Sequence, residues 1–215
     1  MNHKEKAQEG RAFQNMKRAA LDRLLERDPA EIGEKTGIRF SPEASAFYLT
    51  TLGKSVTVRY PEYQMNGELG EWYQLVILHY MDMADHSRLT GNQINFGALP
   101  GGMVRGGGFD RLCEQTVSRD LGNWTEEKLE TVSRLLGGRI FSSNADFSVE
   151  FSVLPFYPVT LKIWFADEEF AASGRMFLDS SAGHFLSVED AVTVGDLILE
   201  EIQKAGKQYD RKLSK

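Results

Sequence analysis

The sequence predicts an α+β fold with an antiparallel sheet covered by helices, and three observations predict it. Period-two alternation runs through 147–153 and again through 159–165. Phe147, Val149, Phe151 and Val153 point one way and Ser148, Glu150 and Ser152 the other; Val159, Leu161, Ile163 and Phe165 then alternate with Thr160, Lys162 and Trp164. The links between these runs and a third strand, 175–178, are too short for a parallel crossover, so they form a three-stranded meander. Finally, Val188, Ala191, Val192, Gly195, Ile198, Leu199 and Ile202 make an apolar stripe at helical spacing, enough for a helix over 188–204 to cover one sheet face.

The elements follow in chain order, as one domain over 1–215. Phe13, Met16, Ala20, Leu21, Leu24 and Leu25 fall on one face of an amphipathic helix, and Asp28-Pro29 starts a second that Gly37 ends; together these occupy 12–37. A hairpin spans 46–60: Phe47 and Leu49 alternate before the turn at Leu52-Gly53-Lys54, Val56, Val58 and Tyr60 after it, and Pro61 stops it. The middle, 71–138, is helical and glycine-rich. Glu71 to Met83 places Trp72, Leu75, Val76, His79 and Met83 on one helix face. Thr125 caps a further helix with Trp124 set to staple against Leu129, and Gly137-Gly138 ends it. The meander and last helix occupy 147–204. Pro155 and Pro158 bracket its first turn, Ser187 with Asp190 fits a capping pattern, and the helix fades near Gly206.

Composition excludes several function classes. The apolar and charged fractions, 41% and 26%, are those of an ordinary globular chain. There is no apolar run of about 18 residues, and the amino terminus lacks a signal-peptide core, so no membrane role and a cytoplasmic location are expected. A net charge of −6 argues against a nucleic-acid surface. Cys113 alone supports neither an internal disulfide nor a cysteine zinc site, and on an apolar helix face it reads as an inert buried thiol.

Two stretches are candidates for a site. Seven glycines fall between Gly91 and Gly108, ahead of a helix carrying Phe109, Leu112, Cys113 and Val117. Gly101 and Gly102 belong either to a surface loop or to an anion cradle, with backbone N–H groups and a helix N-terminus facing one ligand. Without a P-loop or a dinucleotide fingerprint, no cofactor is specified. The second stretch is acidic: Asp167, Glu168 and Glu169 after a strand, Asp179 ending the next, and His184 five residues on. Asp179 and His184 are candidate cation ligands or an acid–base pair; the alternative is that these acids serve turns and a helix start. His79 with His86 is no recognised metal-ligand spacing, and His79 reads as structural.

The same residues carry a resemblance. Leu154, Pro155, Pro158, Trp164, Asp167 to Phe170, Asp179, Ser181, Ala182, Glu189 and Asp190, with Leu78-His79-Tyr80, Ala84-Asp85, Leu89-Thr90-Gly91, Leu99 to Gly102 and Asp28-Pro29, resemble a domain-of-unknown-function family of anaerobic bacteria and archaea. The resemblance implies an intracellular protein of an anaerobe and transfers no catalytic residue. Some relatives add a cysteine-rich iron–sulfur segment; with one cysteine, no cluster is carried over to this chain. The expectation is a small-molecule or cofactor-binding accessory protein of anaerobic metabolism. Its pocket would hold Trp164, Asp167 to Glu169, Asp179 and His184, with the glycine loop at the rim, mobile when empty. A metal-assisted enzyme and a protein-interaction module are the alternatives.

Overall fold

The computed structural model describes residues 3–66 and 69–214. The chain opens with α1 (His3–Leu25) and α2 (Pro29–Thr36). The Asp28 carboxylate accepts from the Ala30 amide at 2.8 Å, Pro29 takes the first helical position, and Gly37 closes α2 at φ 69°. That conformation is open to glycine and strained for other residues. A four-stranded antiparallel sheet follows in sequence order: β1 (Arg39–Ser41), β2 (Ala46–Thr51), β3 (Lys54–Arg59) and β4 (Gln64–Met65). β2 and β3 are the expected hairpin; the edge strands β1 and β4 are too short to leave a period-two signal.

Then come α3 (Glu71–Met83), β5 (Gln93–Ile94), α4 (Arg105–Arg119), α5 (Glu126–Leu135), β6 (Arg139–Ile140), β7 (Phe147–Leu154), β8 (Tyr157–Trp164), β9 (Ser173–Asp179) and α6 (Val188–Leu213). The second sheet is antiparallel in the order β5-β9-β8-β7-β6, so the predicted meander forms its centre. Val149 pairs with Leu161 and Leu161 with Met176, which keeps one buried face in register. Pro158 is not a turn residue: it lies within β8 opposite Ser152, beside an irregularity that shifts the register between Ser152 and Leu154.

α3 is the pivot of the packing. Tyr73, Leu75, Val76, Ile77, Leu78, Tyr80 and Met81 are all buried, so the helix is enclosed around most of its circumference rather than along one stripe. The Tyr80 hydroxyl donates to Thr36 O at 2.7 Å and accepts from Phe156 N at 3.0 Å, tying α2 to the β7–β8 turn. Thr51 Oγ1 donates to Val153 O at 2.5 Å, joining β2 of the first sheet to β7 of the second. The residues expected to mark the core face of α3 fare differently: Leu75 and Val76 are buried, whereas Trp72 and Met83 are exposed and His79 lies between.

α6 does not fade near Gly206. A Cβ there would stand 2.2 Å from Cη2 of Trp124, so the bare position admits the indole and the helix continues to Leu213. Trp124 is thereby taken up by α6. Among the described residues no helix is long and apolar enough to cross a membrane.

Candidate functional site

The residues predicted to form one pocket lie at two ends of the second sheet. Trp164 pairs with Ser173 and Val159 with Leu178, so Asp179 is about 20 Å along the strands from Trp164 and the acids beyond it. The shared pocket is therefore not formed, because antiparallel pairing sends the end of one strand away from the end of the next. At the Trp164 end, the indole donates to Asn144 O at 3.1 Å. The exposed Asp167 carboxylate accepts from Glu169 N and Phe170 N at 2.9 and 2.7 Å. These bonds hold the Asp167 carboxyl below its usual range. Glu168 and Glu169 project into solvent.

At the other end, Asp179 is buried and its acceptor capacity is spent. Oδ1 accepts from Thr90 N, Thr90 Oγ1, Ser181 N and Ser181 Oγ, and Oδ2 from Gly91 N, all at 2.6–3.0 Å. Burial alone would raise this carboxyl; the donors from Ser181, Thr90 and Gly91 outweigh it and hold it down at about 2. His184 does not touch Asp179. Its Nδ1 stands 2.9 Å from Asp85 Oδ2, in a pair with more than half of each side chain exposed. The Leu99 to Gly102 loop does approach His184: Gly183 faces the Pro100 ring.

Gly102 and Gly106 serve close packing. A Cβ on Gly102 or Gly106 would come within 2.5 or 2.2 Å of Phe96 O, and Gly106 to Gly108 already belong to the first turn of α4. The backbone N–H groups of Phe96 and Gly97 donate to Asp110 at 3.1 and 2.9 Å, so these two amides of the glycine-rich stretch are taken by the chain's own carboxylate. Gly101, at φ 75°, meets nothing within 4 Å and serves the turn. Cys113 is buried, and burial pushes its thiol up to about 12.

A different site appears where α1, α3, α4 and α6 meet. A cleft of about 450 Å³ is walled on its apolar side by Met16, Trp72, Leu75 and Leu197. His79, Arg105, Glu189, Asp190, Thr193, Asp196 and Glu200 supply its polar side. Helical spacing aligns them: 72, 75 and 79 share a face of α3, and 189, 193, 196 and 200 a face of α6. Phe13 on α1 meets the Trp72 ring edge-on at 5.1 Å between centroids and fixes it while leaving it 48% exposed.

At the centre of the cleft, His79 Nδ1 stands 2.7 Å from Asp190 Oδ1. Asp190 is itself held: Ser187 Oγ donates to Oδ2 at 2.7 Å and accepts from Asp190 N at 3.2 Å as the N-cap of α6. A carboxylate in the first turn of a helix is also favoured by the helix dipole. His79 Nε2 has no hydrogen-bond partner among the described residues. Nearby, burial raises the Asp196 carboxyl, Arg105 opposes the rise and Glu200 adds to it. Behind Asp190, burial and to a lesser degree the Asp190 charge push up the Tyr157 hydroxyl, which is fully enclosed with no hydrogen-bond partner among the described residues. Among the described residues no group of three or more His, Cys, Asp or Glu could hold a metal ion.

The sequence reads His79 as structural, since its spacing to His86 is no recognised ligand pattern, and Asp190 as a capping acid; the 111 residues between them hide the pair. The available signal was a run of polar residues at helical spacing along one face of the last helix.

Fold and cleft together define an α+β protein of two antiparallel sheets, with a helix-walled acidic cleft built on a carboxylate–imidazole pair. The chain belongs to the family described as domain of unknown function DUF3786, whose family model matches residues 28–201. No curated protein and no solved structure matches it.

Proposed function

We propose that this protein binds a small organic molecule carrying positive charge, and that the ligand lies in the cleft between α3 and α6. The observation that carries this reading is the lining itself. Glu189, Asp190, Asp196 and Glu200 face a single guanidinium, Arg105, across a wall that offers the half-exposed Trp72 ring. A cation over an indole face, with carboxylates at its rim, is held by ring quadrupole and charge together. The raised Asp196 carboxyl fits the same preference: a carboxylate disfavoured by burial and by Glu200 gains from an added cation. A ligand-binding role of this kind agrees with the accessory protein of anaerobic metabolism expected from the sequence.

The test compares two probes of one shape and opposite charge, benzamidine and benzoate, by thermal shift. Benzamidine raises the melting temperature increasingly with its concentration, benzoate does not, and Asp196→Asn weakens the response. Equal shifts from both probes, or none from either, would remove the reading.

A second reading, an enzyme, is favoured by one feature that binding alone does not need: the imidazole oriented by Asp190.

A further inference from the structure

We propose that His79 is a general base acting on the molecule held in this cleft, with Asp190 as its positioning residue. The inference rests on the cleft being the ligand site and goes beyond binding to a reaction class.

The geometry is that of a base held in one tautomer. An imidazole offers a lone pair at one nitrogen only when the other carries the proton. A carboxylate 2.7 Å from Nδ1 fixes the proton there and leaves the lone pair on Nε2. Nothing on the protein competes for that lone pair among the described residues, and His79 lines the cleft with 14% of its side chain exposed. Asp190 cannot swing away, because Ser187 Oγ holds its second oxygen. Ser187 itself is no nucleophile: its proton is committed to Asp190, on the far side of the carboxylate from the imidazole.

The step balances without a co-reactant. The Nε2 lone pair takes a proton from a C–H or O–H of the bound molecule, whose electron pair stays behind as a developing anion. Asp190 stabilises the imidazolium, and Arg105, at the start of α4 on the cleft wall, is the positive group available to the anion. Returning the proton from Nε2 to a different atom of the same molecule completes an isomerisation.

The probe is 5-nitrobenzisoxazole, a flat aromatic molecule whose ring opens when a base takes its C–H proton: the N–O bond breaks, and a nitrile and a coloured phenolate form on the same ring. Binding is read separately, as saturable quenching of Trp72 fluorescence with Trp72→Phe as reference. The wild-type protein is expected to accelerate ring opening about 100-fold or more over buffer. His79→Gln should lower kcat by about 100-fold with KM within about twofold. Asp190→Asn, which keeps the side-chain volume, should lower kcat about tenfold at unchanged KM. Circular dichroism confirms that each variant folds. Quenching with wild-type rates in folded His79→Gln overturns the inference and leaves the cleft reading standing. Loss of rate in Asp196→Asn but not in His79→Gln overturns it equally, by naming another base. If benzamidine quenches Trp72 and the isoxazole does not, this inference falls and the cleft reading stands; if neither quenches it, both fall.

Discussion

The Phe109 ring lies against the bare backbone of Gly195: a Cβ at that position would stand 2.2 Å from Cζ. This contact lets α4 approach α6 closely. Arg105 is one turn before Phe109, and Asp196 is the residue after Gly195, so the same approach brings the guanidinium within electrostatic reach of that carboxylate. Gly195→Ala forces ring or helix to move and should cost about 1–3 kcal/mol, as overpacking does. Gly108→Ala, within α4 and facing open space, should instead gain about 0.5–1 kcal/mol from helix propensity. Urea unfolding of the two variants checks both signs.

Two buried tyrosines should respond oppositely to loss of their hydroxyls. Tyr80→Phe leaves Thr36 O and Phe156 N without their partner and should destabilise by about 1–3 kcal/mol. Tyr157→Phe removes a hydroxyl that has no partner among the described residues and should be neutral or stabilising by about 1 kcal/mol. Thermal unfolding of each single variant measures the contrast.

Much of the fold was legible because local rules agreed with tertiary demands. β7 to β9 alternate cleanly since one sheet face is buried throughout, and α2 carries its cap, its proline and its closing glycine in adjacent positions. α3 was legible as a helix, but its orientation was not: a helix buried nearly all round gives no single apolar stripe. The packing role of Gly102 and Gly106 was hidden because composition records freedom in the unfolded chain, not their contact with Phe96 O. The cleft was hidden for a related reason. Its pairing of His79 with Asp190 is made by packing α3 on α6, and the capping role of Asp190 already accounted for that residue locally.

Asp179 makes stability sensitive to acid. Its folded-state carboxyl sits at about 2, below the ordinary value of 3.8, so its contribution is complete above roughly pH 4 and is lost as pH falls toward 2. Asp179→Asn should flatten the decline of stability between these limits and lower stability at neutral pH by about 1–2 kcal/mol. Denaturant midpoints at pH 7, 4 and 2.5 for both proteins give the comparison. A parallel decline in the two would assign the acid sensitivity elsewhere.

Ser187→Ala removes the N-cap of α6 and should cost about 1 kcal/mol. It also frees Asp190 Oδ2, so it should weaken benzamidine binding beyond what lost stability explains. Calorimetric titration well below the melting temperature separates the two effects; unchanged affinity would show that Asp190 is held without Ser187.

The location of the ligand site is tested most directly by nuclear magnetic resonance of the side chains during a benzamidine titration. The chain has three tryptophans and four histidines, and the cleft and the ends of the β8–β9 pair hold different ones. The Trp72 indole and the His79 ring, which share the cleft, should shift together with a single saturation curve, while Trp164 and His184 stay in place. Movement of Trp164 or His184 with Trp72 and His79 unchanged would contradict the assignment and return the site to the ends of the β8–β9 pair.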